Sequence, residues 1–113
     1  MQDVQAAVQW IDTMNTAGAP NVTTNTFECT IRILGGLLSA AHLLNGDRRL
    51  LRPAIELALR LLVAFNTHSG IPYSDVDLRT VTSRQPFWTA FSSLSEATTL
   101  SMEFCHIARV CVA

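Results

Sequence analysis

The chain has 113 residues, of which 49% are hydrophobic and 15% are charged, and its formal net charge is -1. A soluble domain ordinarily carries about 25% charged residues, so this composition excludes a disordered or polyelectrolyte segment. Eight basic residues against nine acidic ones, with no basic cluster, also argue against nucleic acid as a partner.

Hydrophobic periodicity predicts two helices in the first half of the chain. Apolar residues recur at steps of three and four over residues 3–16, and the glycine and proline of residues 18–20 end that helix. The second helix is predicted to run from Asn25 or Thr26 to Asn45, where Gly46 offers a left-handed stop.

Two further helices are predicted in the second half, which makes the fold all-α. One covers residues 52–66, with Pro53 in its first turn, and the other runs from Ser93 or Ser95 to Cys111. Residues 67–92 lack a helical period and predict a long loop, within which residues 71–78 favour a short extended or hairpin segment.

The second helix is predicted to lie inside the fold because it is apolar on two sides. Phe27, Ile31, Leu34 and Leu38 share one side, and Ile33, Leu37, Ala40 and Leu44 share another. The remaining stripe, which we expect to face a cavity, holds Glu28, Arg32, Gly35 and Ser39.

Three glutamates stand out, and each has an ordinary structural explanation beside a functional one. Residues 25–28 and 93–96 both fit a capping box, in which Glu28 or Glu96 bonds back to the start of its helix. Arg32 lies four residues after Glu28 and fits a simple ion pair. Glu103 shares a stripe with Glu96 and with Ile107, a residue expected to be buried.

Other sequence features bear on membrane crossing, targeting and the role of the cysteines. The longest apolar run, residues 33–44, is shorter than the roughly 20 residues that cross a bilayer. The first residues lack the basic and apolar regions of a signal peptide, so no targeting signal is expected within this chain. The three cysteines, which lack metal-ligand spacing, are expected to be buried packing residues.

One long segment of the chain resembles the signature of class I α-1,2-mannosidases, glycoside hydrolase family 47. Residues 27–40 read FECTIRILGGLLSA, and the likeness continues, in order, through LLVAF at 61–65, SGIPYSDVDL at 69–78, SEATTL at 95–100 and MEF at 102–104. The stretches at 73–75 and 88–89 resemble the endoplasmic-reticulum type of this family more than the Golgi type.

The resemblance implies a fold and a cellular setting. Family members form an (α/α)7 barrel of inner and outer helix pairs, so this chain would supply about two pairs, with the second and fourth helices inside. It implies high-mannose N-glycans as the substrate, the rest of the barrel as a partner, and the lumen of the endoplasmic reticulum or Golgi as the location.

The resemblance also implies roles for the four candidate residues. Glu28 matches the general acid, Arg32 a substrate-positioning arginine, and Glu96 an acid near the sugar and the calcium-bound water. Glu103 matches a glutamate of the family motif and is expected to bind substrate. Calcium is the implied cofactor, but the threonine that holds it and the other catalytic acids have no counterpart in this chain.

Two helix pairs out of seven do not close a barrel, so residues 1–113 are predicted to be part of a family 47 catalytic domain. Three hypotheses remain for its function. The chain is a fragment of an inverting, calcium-dependent α-1,2-mannosidase; or it belongs to an inactive relative that binds mannose glycans in glycoprotein quality control; or it is a truncated product without a function of its own.

Overall fold

The computed structural model describes residues 1–13 and 23–112. The helical elements in these ranges are α1 (Gln2–Thr13), α2 (Thr26–Cys29), a π-helical turn (Thr30–Leu34), α3 (Gly35–Leu43), α4 (Arg48–Leu61), a 3-10 turn (Leu62–Phe65), α5 (Leu94–Thr99) and α6 (Ser101–Val112). The strands are β1 (Thr23–Asn25), β2 (Asp75–Asp77) and β3 (Thr82–Arg84). The predicted all-α class is confirmed, with a small sheet added to it.

Helix α1 lies against α4 through a narrow apolar stripe. Its residue Val8 is buried against Leu50 of α4, while Val4 is exposed. The Asp12 carboxylate accepts a hydrogen bond from Arg52 of α4 at 2.6 Å, which fastens the two helices together. Residues 14–16 of the predicted helix, and its predicted stop at 18–20, lie outside the described residues.

The second predicted helix is confirmed as one continuous run, formed by α2, the π turn and α3. The extra residue of a π turn rotates the helix beyond it by about 100° relative to a regular helix. Leu34 is fully buried, whereas Ile33, which was expected on a buried side, is 54% exposed. The run stops at Gly46, whose φ is +80° and whose N–H donates to the Ala41 carbonyl at 2.8 Å.

Helix α4 begins at Arg48, earlier than residue 52, and the prediction that Pro53 lies in the first turn is wrong. The start is set by Asp47, whose side chain accepts a hydrogen bond from the Arg49 amide at 2.9 Å. The Arg49 guanidinium also holds the pKa of Asp47 below its usual value. Pro53 instead lies inside the helix, on its buried side.

No helix forms in the residues between the 3-10 turn and α5, as predicted, but two short strands, β2 and β3, form there and pair in a sheet with β1. The sheet has the order β1-β2-β3, and both pairs are antiparallel. Val76 at its centre faces Thr24 on one side and Ser83 on the other, and its side chain is fully buried. The extended segment predicted for residues 71–78 contains β2 but not β3, and the sequence does not predict β1.

Helices α5 and α6 follow each other with a break at Leu100, which confirms the last predicted helix. Helix α6 packs along Phe104 and Ile107, and most of its remaining residues are exposed. Cys105 and Cys111 are among the exposed residues, so the expectation of three buried cysteines is wrong for these two. Cys29 is buried, and this burial raises the pKa of its thiol.

The helices are arranged around α4, which contacts α1, α3 and α6. Helix α3 in turn contacts α6, so the second and fourth predicted helices are neighbours. The larger buried cluster joins α2, α3, α4 and α6 through Cys29, Leu34, Leu38, Ala54, Leu57, Ala58, Leu61 and Ile107. None of the described helices has the length and apolarity that a membrane crossing requires.

Candidate active site

Glu28 lies in the first turn of α2, where the backbone is capped. The Asn25 side chain accepts a hydrogen bond from the Glu28 amide at 2.9 Å, which confirms the first half of the predicted capping box. The Glu28 carboxylate turns to Arg32 instead of back to the cap, and accepts a hydrogen bond from its Nε. This contact raises the pKa of the Arg32 guanidinium and directs the pair along an exposed face of the helix.

The helix start that carries Glu28 is tied to the segment leading into β2. The Thr26 amide donates to the Ser74 carbonyl at 2.7 Å, and the Thr26 hydroxyl donates to the Tyr73 carbonyl at 2.9 Å. Thr26 is buried, and so is Thr30, whose hydroxyl donates to the Thr26 carbonyl at 2.7 Å. We call the two bonds from Thr26 the threonine latch.

The π turn lies directly after this start and contains Arg32. Such turns are rare inside α-helices and recur at functional sites, because the wider turn changes the direction of the side chains beside it. Here the turn lies between Glu28 and Gly35, so it sets how the Glu28 and Arg32 pair is oriented relative to the rest of the interior helix.

Glu96 faces a small cavity at the same end of the fold as Thr26. The cavity has a volume of about 10 Å³, room for one water, and its walls include Thr26, Phe27, Tyr73 and Glu96. The capping box predicted for residues 93–96 is wrong, because the Ser93 side chain accepts no capping hydrogen bond from a backbone N–H of the helix. Its hydroxyl lies 3.1 Å from that of Ser95 instead.

Glu103 lines a second cavity, of about 510 Å³, between α3 and α6. Gly35 and Ser39 lie in the same wall, as expected of their stripe, whereas Glu28 and Arg32 of that stripe do not. A Cβ at Gly35 would lie 3.7 Å from Oε1 of Glu103. Oε2 of Glu103 is buried and has no hydrogen-bond partner among the described residues.

The four predicted site residues therefore occupy three separate places. Glu28 and Arg32 form a direct pair, Glu96 faces the cavity beside the start of α2, and Glu103 faces the cavity beside Gly35. The threonine latch was not anticipated from the sequence. Its partners are 47 and 48 residues apart along the chain, and the only local sign was a threonine at the first helical position.

The described ranges, 1–13 and 23–112, contain no group of three or more His, Cys, Asp or Glu residues placed to hold a metal ion. We assign no step of the chemistry to an ion.

Comparison with known proteins places this arrangement in a family. The model of Glycosyl hydrolase family 47 matches residues 1–112. The endoplasmic reticulum mannosyl-oligosaccharide 1,2-alpha-mannosidase of Rattus norvegicus is 44% identical over 109 residues, which are 96% of this chain and 16% of that protein. The enzyme of the same name from Schizosaccharomyces pombe is 41% identical over 106 residues, which are 94% of this chain and 20% of that protein.

A solved structure agrees with the sequence matches. The alpha-1,2-mannosidase from Trichoderma reesei superposes with a TM-score of 0.82 at 30% identity, covering 98% of this chain and 26% of that one. The chain belongs to glycosyl hydrolase family 47. It is an all-α segment of an α/α barrel, with about two pairs of helices, and it spans about a fifth or less of the two curated relatives described above.

Proposed function

We propose that this chain is a segment of a calcium-dependent, inverting α-1,2-mannosidase that trims α-1,2-linked mannose from N-glycans. The observation that supports this most is the fixed start of α2: a side-chain cap and the threonine latch hold its backbone, and Glu28, in its first turn, contacts Arg32. A catalytic acid must be positioned to be effective, and the fixed helix start positions the backbone that carries Glu28.

An inverting glycosidase uses two carboxyl groups on opposite sides of the scissile bond. In the proposed reaction Glu28, in its protonated form, donates its proton to the oxygen of the leaving sugar. Arg32 holds the Glu28 carboxyl group and donates hydrogen bonds to the substrate. The carboxylate that activates water comes from the rest of the barrel.

Glu96 and Glu103 are proposed to bind hydroxyl groups of the sugar. Glu96 faces a cavity with room for one water, and Glu103 has a buried oxygen without a partner among the described residues. A carboxylate oxygen that is buried without a partner is costly, and a sugar hydroxyl would supply the missing bond. Calcium, as the proposed cofactor, would neutralise acidic groups near the sugar, with its ligands supplied by the remainder of the polypeptide.

The proposal is tested by measuring mannose release from Man-α-1,2-Man with the complete polypeptide. A Glu28→Gln variant keeps the shape of the side chain and cannot donate the proton, so we expect a loss of kcat of about 10²- to 10⁴-fold. Asp3→Asn, an exposed change on α1, is the matched control and retains activity. Normal release by Glu28→Gln contradicts the assignment.

The same experiment separates the proposal from the inactive, glycan-binding alternative. The proposal expects a chelator such as EGTA to abolish release and added calcium to restore it. Binding of high-mannose N-glycans without any release of mannose would instead support the alternative. If the polypeptide neither binds the glycan nor releases mannose, the result supports a truncated product without function.

The proposed location is the lumen of the endoplasmic reticulum, and it rests on the names of the relatives. There the chain would meet high-mannose N-glycans on glycoproteins, with the rest of its own barrel packed against α3 and α6. Microscopy of the tagged complete polypeptide with markers of the endoplasmic reticulum and Golgi tests the location.

A further inference from the structure

Helix α5, which carries Glu96, has little packing of its own to fix its position. None of its residues is buried, and Ser93 provides no side-chain cap. Leu100, which follows α5, is buried, so packing holds that end of the segment. The start of α5 therefore needs another attachment to the fold.

Hydrogen bonds at Ser92 supply this attachment. Within the described ranges, the hydrogen bonds that join residues 92–112 to earlier parts of the chain both use the Ser92 hydroxyl. This hydroxyl accepts from Nε2 of Gln85 at 2.7 Å and donates to the Pro72 carbonyl at 3.5 Å. The shorter bond is the stronger one, so Gln85 is the main polar partner of the start of α5.

The Gln85 amide also contacts the segment that holds the start of α2. Its Oε1 accepts a hydrogen bond from the Ser74 amide at 3.4 Å. The Ser74 carbonyl accepts one bond of the threonine latch, from the Thr26 amide. One side chain therefore lies between the two helix starts that carry Glu28 and Glu96 and bonds towards both.

Both ends of the Gln85 amide are needed for this arrangement. A backbone N–H can only donate, so the amide oxygen must face Ser74 and the NH2 group must face Ser92. The Gln85 side chain is half-buried, so water has limited access to replace these bonds. A side chain of the same length without polar atoms would leave both partners unpaired, which costs stability at this point.

The bonds of Gln85 lie behind one wall of the small cavity that Glu96 faces. Ser74, Ser92 and Glu96 line that cavity, whereas Gln85 does not. Gln85 therefore acts on Glu96 through the wall of the cavity and not from inside it.

We propose that Gln85 is a positioning residue, which fixes the place of Glu96 relative to Glu28. This inference rests on the proposed function, in which Glu96 binds hydroxyl groups of the sugar and Glu28 donates the proton. Gln85 takes no part in the proton transfer. A small displacement of a group that orients the substrate lowers catalytic efficiency even when the substitution lies away from the reacting atoms.

The test measures kcat and KM for release of mannose from Man-α-1,2-Man by the complete polypeptide. Gln85→Met keeps the length of the side chain and removes its polar atoms. We expect KM to rise about tenfold and kcat to stay within about twofold, because Glu96 is proposed to bind the sugar and not to transfer a proton. An unchanged KM overturns the inference, since a fall in kcat alone would reflect a smaller folded fraction.

Ser83→Ala is the matched control. It lies two residues earlier and removes another half-buried hydrogen bond, from the Ser83 hydroxyl to the Val63 carbonyl at 3.1 Å. This bond does not reach Ser92, so KM should stay at the wild-type value. An equal rise of KM in Ser83→Ala and Gln85→Met would show a general loosening of the fold and would contradict the specific role of Gln85.

A double variant shows whether Gln85 acts through Ser92. Ser92→Ala removes the hydroxyl that accepts from Gln85, so it should raise KM by a similar factor. The two substitutions break the same connection, and together they should still raise KM about tenfold. A rise of about a hundredfold would mean that the two residues act independently, and the inference would fail.

Hydrogen exchange tests the position of α5 without any activity. If the unaltered polypeptide releases no mannose, the proposed reaction fails, and exchange then decides on Gln85. The Ala97 amide donates to the Ser93 carbonyl at 3.0 Å in the first turn of α5. Faster exchange of residues 94–99 in Gln85→Met than in Ser83→Ala supports the positioning role, and equal exchange contradicts it.

Discussion

We expect the threonine latch to stabilise the fold and to hold the start of α2, which carries Glu28, against residues 73 and 74. A Thr26→Val substitution keeps the shape of the side chain and removes the hydroxyl that donates to the Tyr73 carbonyl at 2.9 Å. Thr26 is only 2% exposed, so water cannot readily replace the lost donor. Leaving a buried polar group unpaired costs about 1–3 kcal/mol. We expect the free energy of unfolding to fall by about that amount.

Urea denaturation measures this change, and hydrogen exchange locates it. The amide of residue 26 donates to the Ser74 carbonyl, so it should exchange about tenfold faster in the valine variant if the segment moves away. Thr26→Ser is the control, since it retains the hydroxyl and loses one methyl group, worth about 0.8 kcal/mol. A valine variant with wild-type stability and unchanged exchange at residue 26 would refute the reasoning.

Three further predictions concern the helices and the sheet. Leu34→Ala should lower the free energy of unfolding by about 2–5 kcal/mol and Ile33→Ala by less than about 1 kcal/mol, because the π turn buries Leu34 and exposes Ile33. Equal losses for the two variants in urea denaturation would argue against the π turn. Asn25→Ala should cost about 1 kcal/mol because it deletes a helix cap, whereas Ser93→Ala should have little effect because that residue makes no cap bond; thermal unfolding of the two variants decides between these outcomes. The pKa of Asp77 is held below its usual value, chiefly by a hydrogen bond from the backbone N–H of Thr80. The stability that this carboxylate contributes to the fold is therefore present above its unfolded pKa and is lost as the pH falls through the lowered value. Stability measured between about pH 5 and pH 2 should show this loss, and Asp77→Asn should not; parallel pH profiles would contradict the assignment.

The helices were predictable because their signals are local. The periodicity of apolar residues and the stop at Gly46 involve neighbours within two turns, and both are confirmed. The Glu28 and Arg32 pair was predictable for the same reason, since its spacing of four residues fixes the contact. These features depend little on the rest of the fold.

The remaining features depend on contacts between distant parts of the chain. Strand β1 has only three residues, and its pairing of Thr24 with Val76 joins segments 52 residues apart. The π turn leaves no mark on the order of apolar residues, so the exposure of Ile33 was not foreseen.

The central claim is that Glu28 is the general acid of an inverting α-1,2-mannosidase. The most direct measurement follows the anomer of mannose first released from Man-α-1,2-Man by the complete polypeptide, using proton NMR at early times. We predict that β-mannose appears first and that Glu28→Gln releases it about 10²- to 10⁴-fold more slowly. Initial release of α-mannose, or normal release by Glu28→Gln, would contradict the claim.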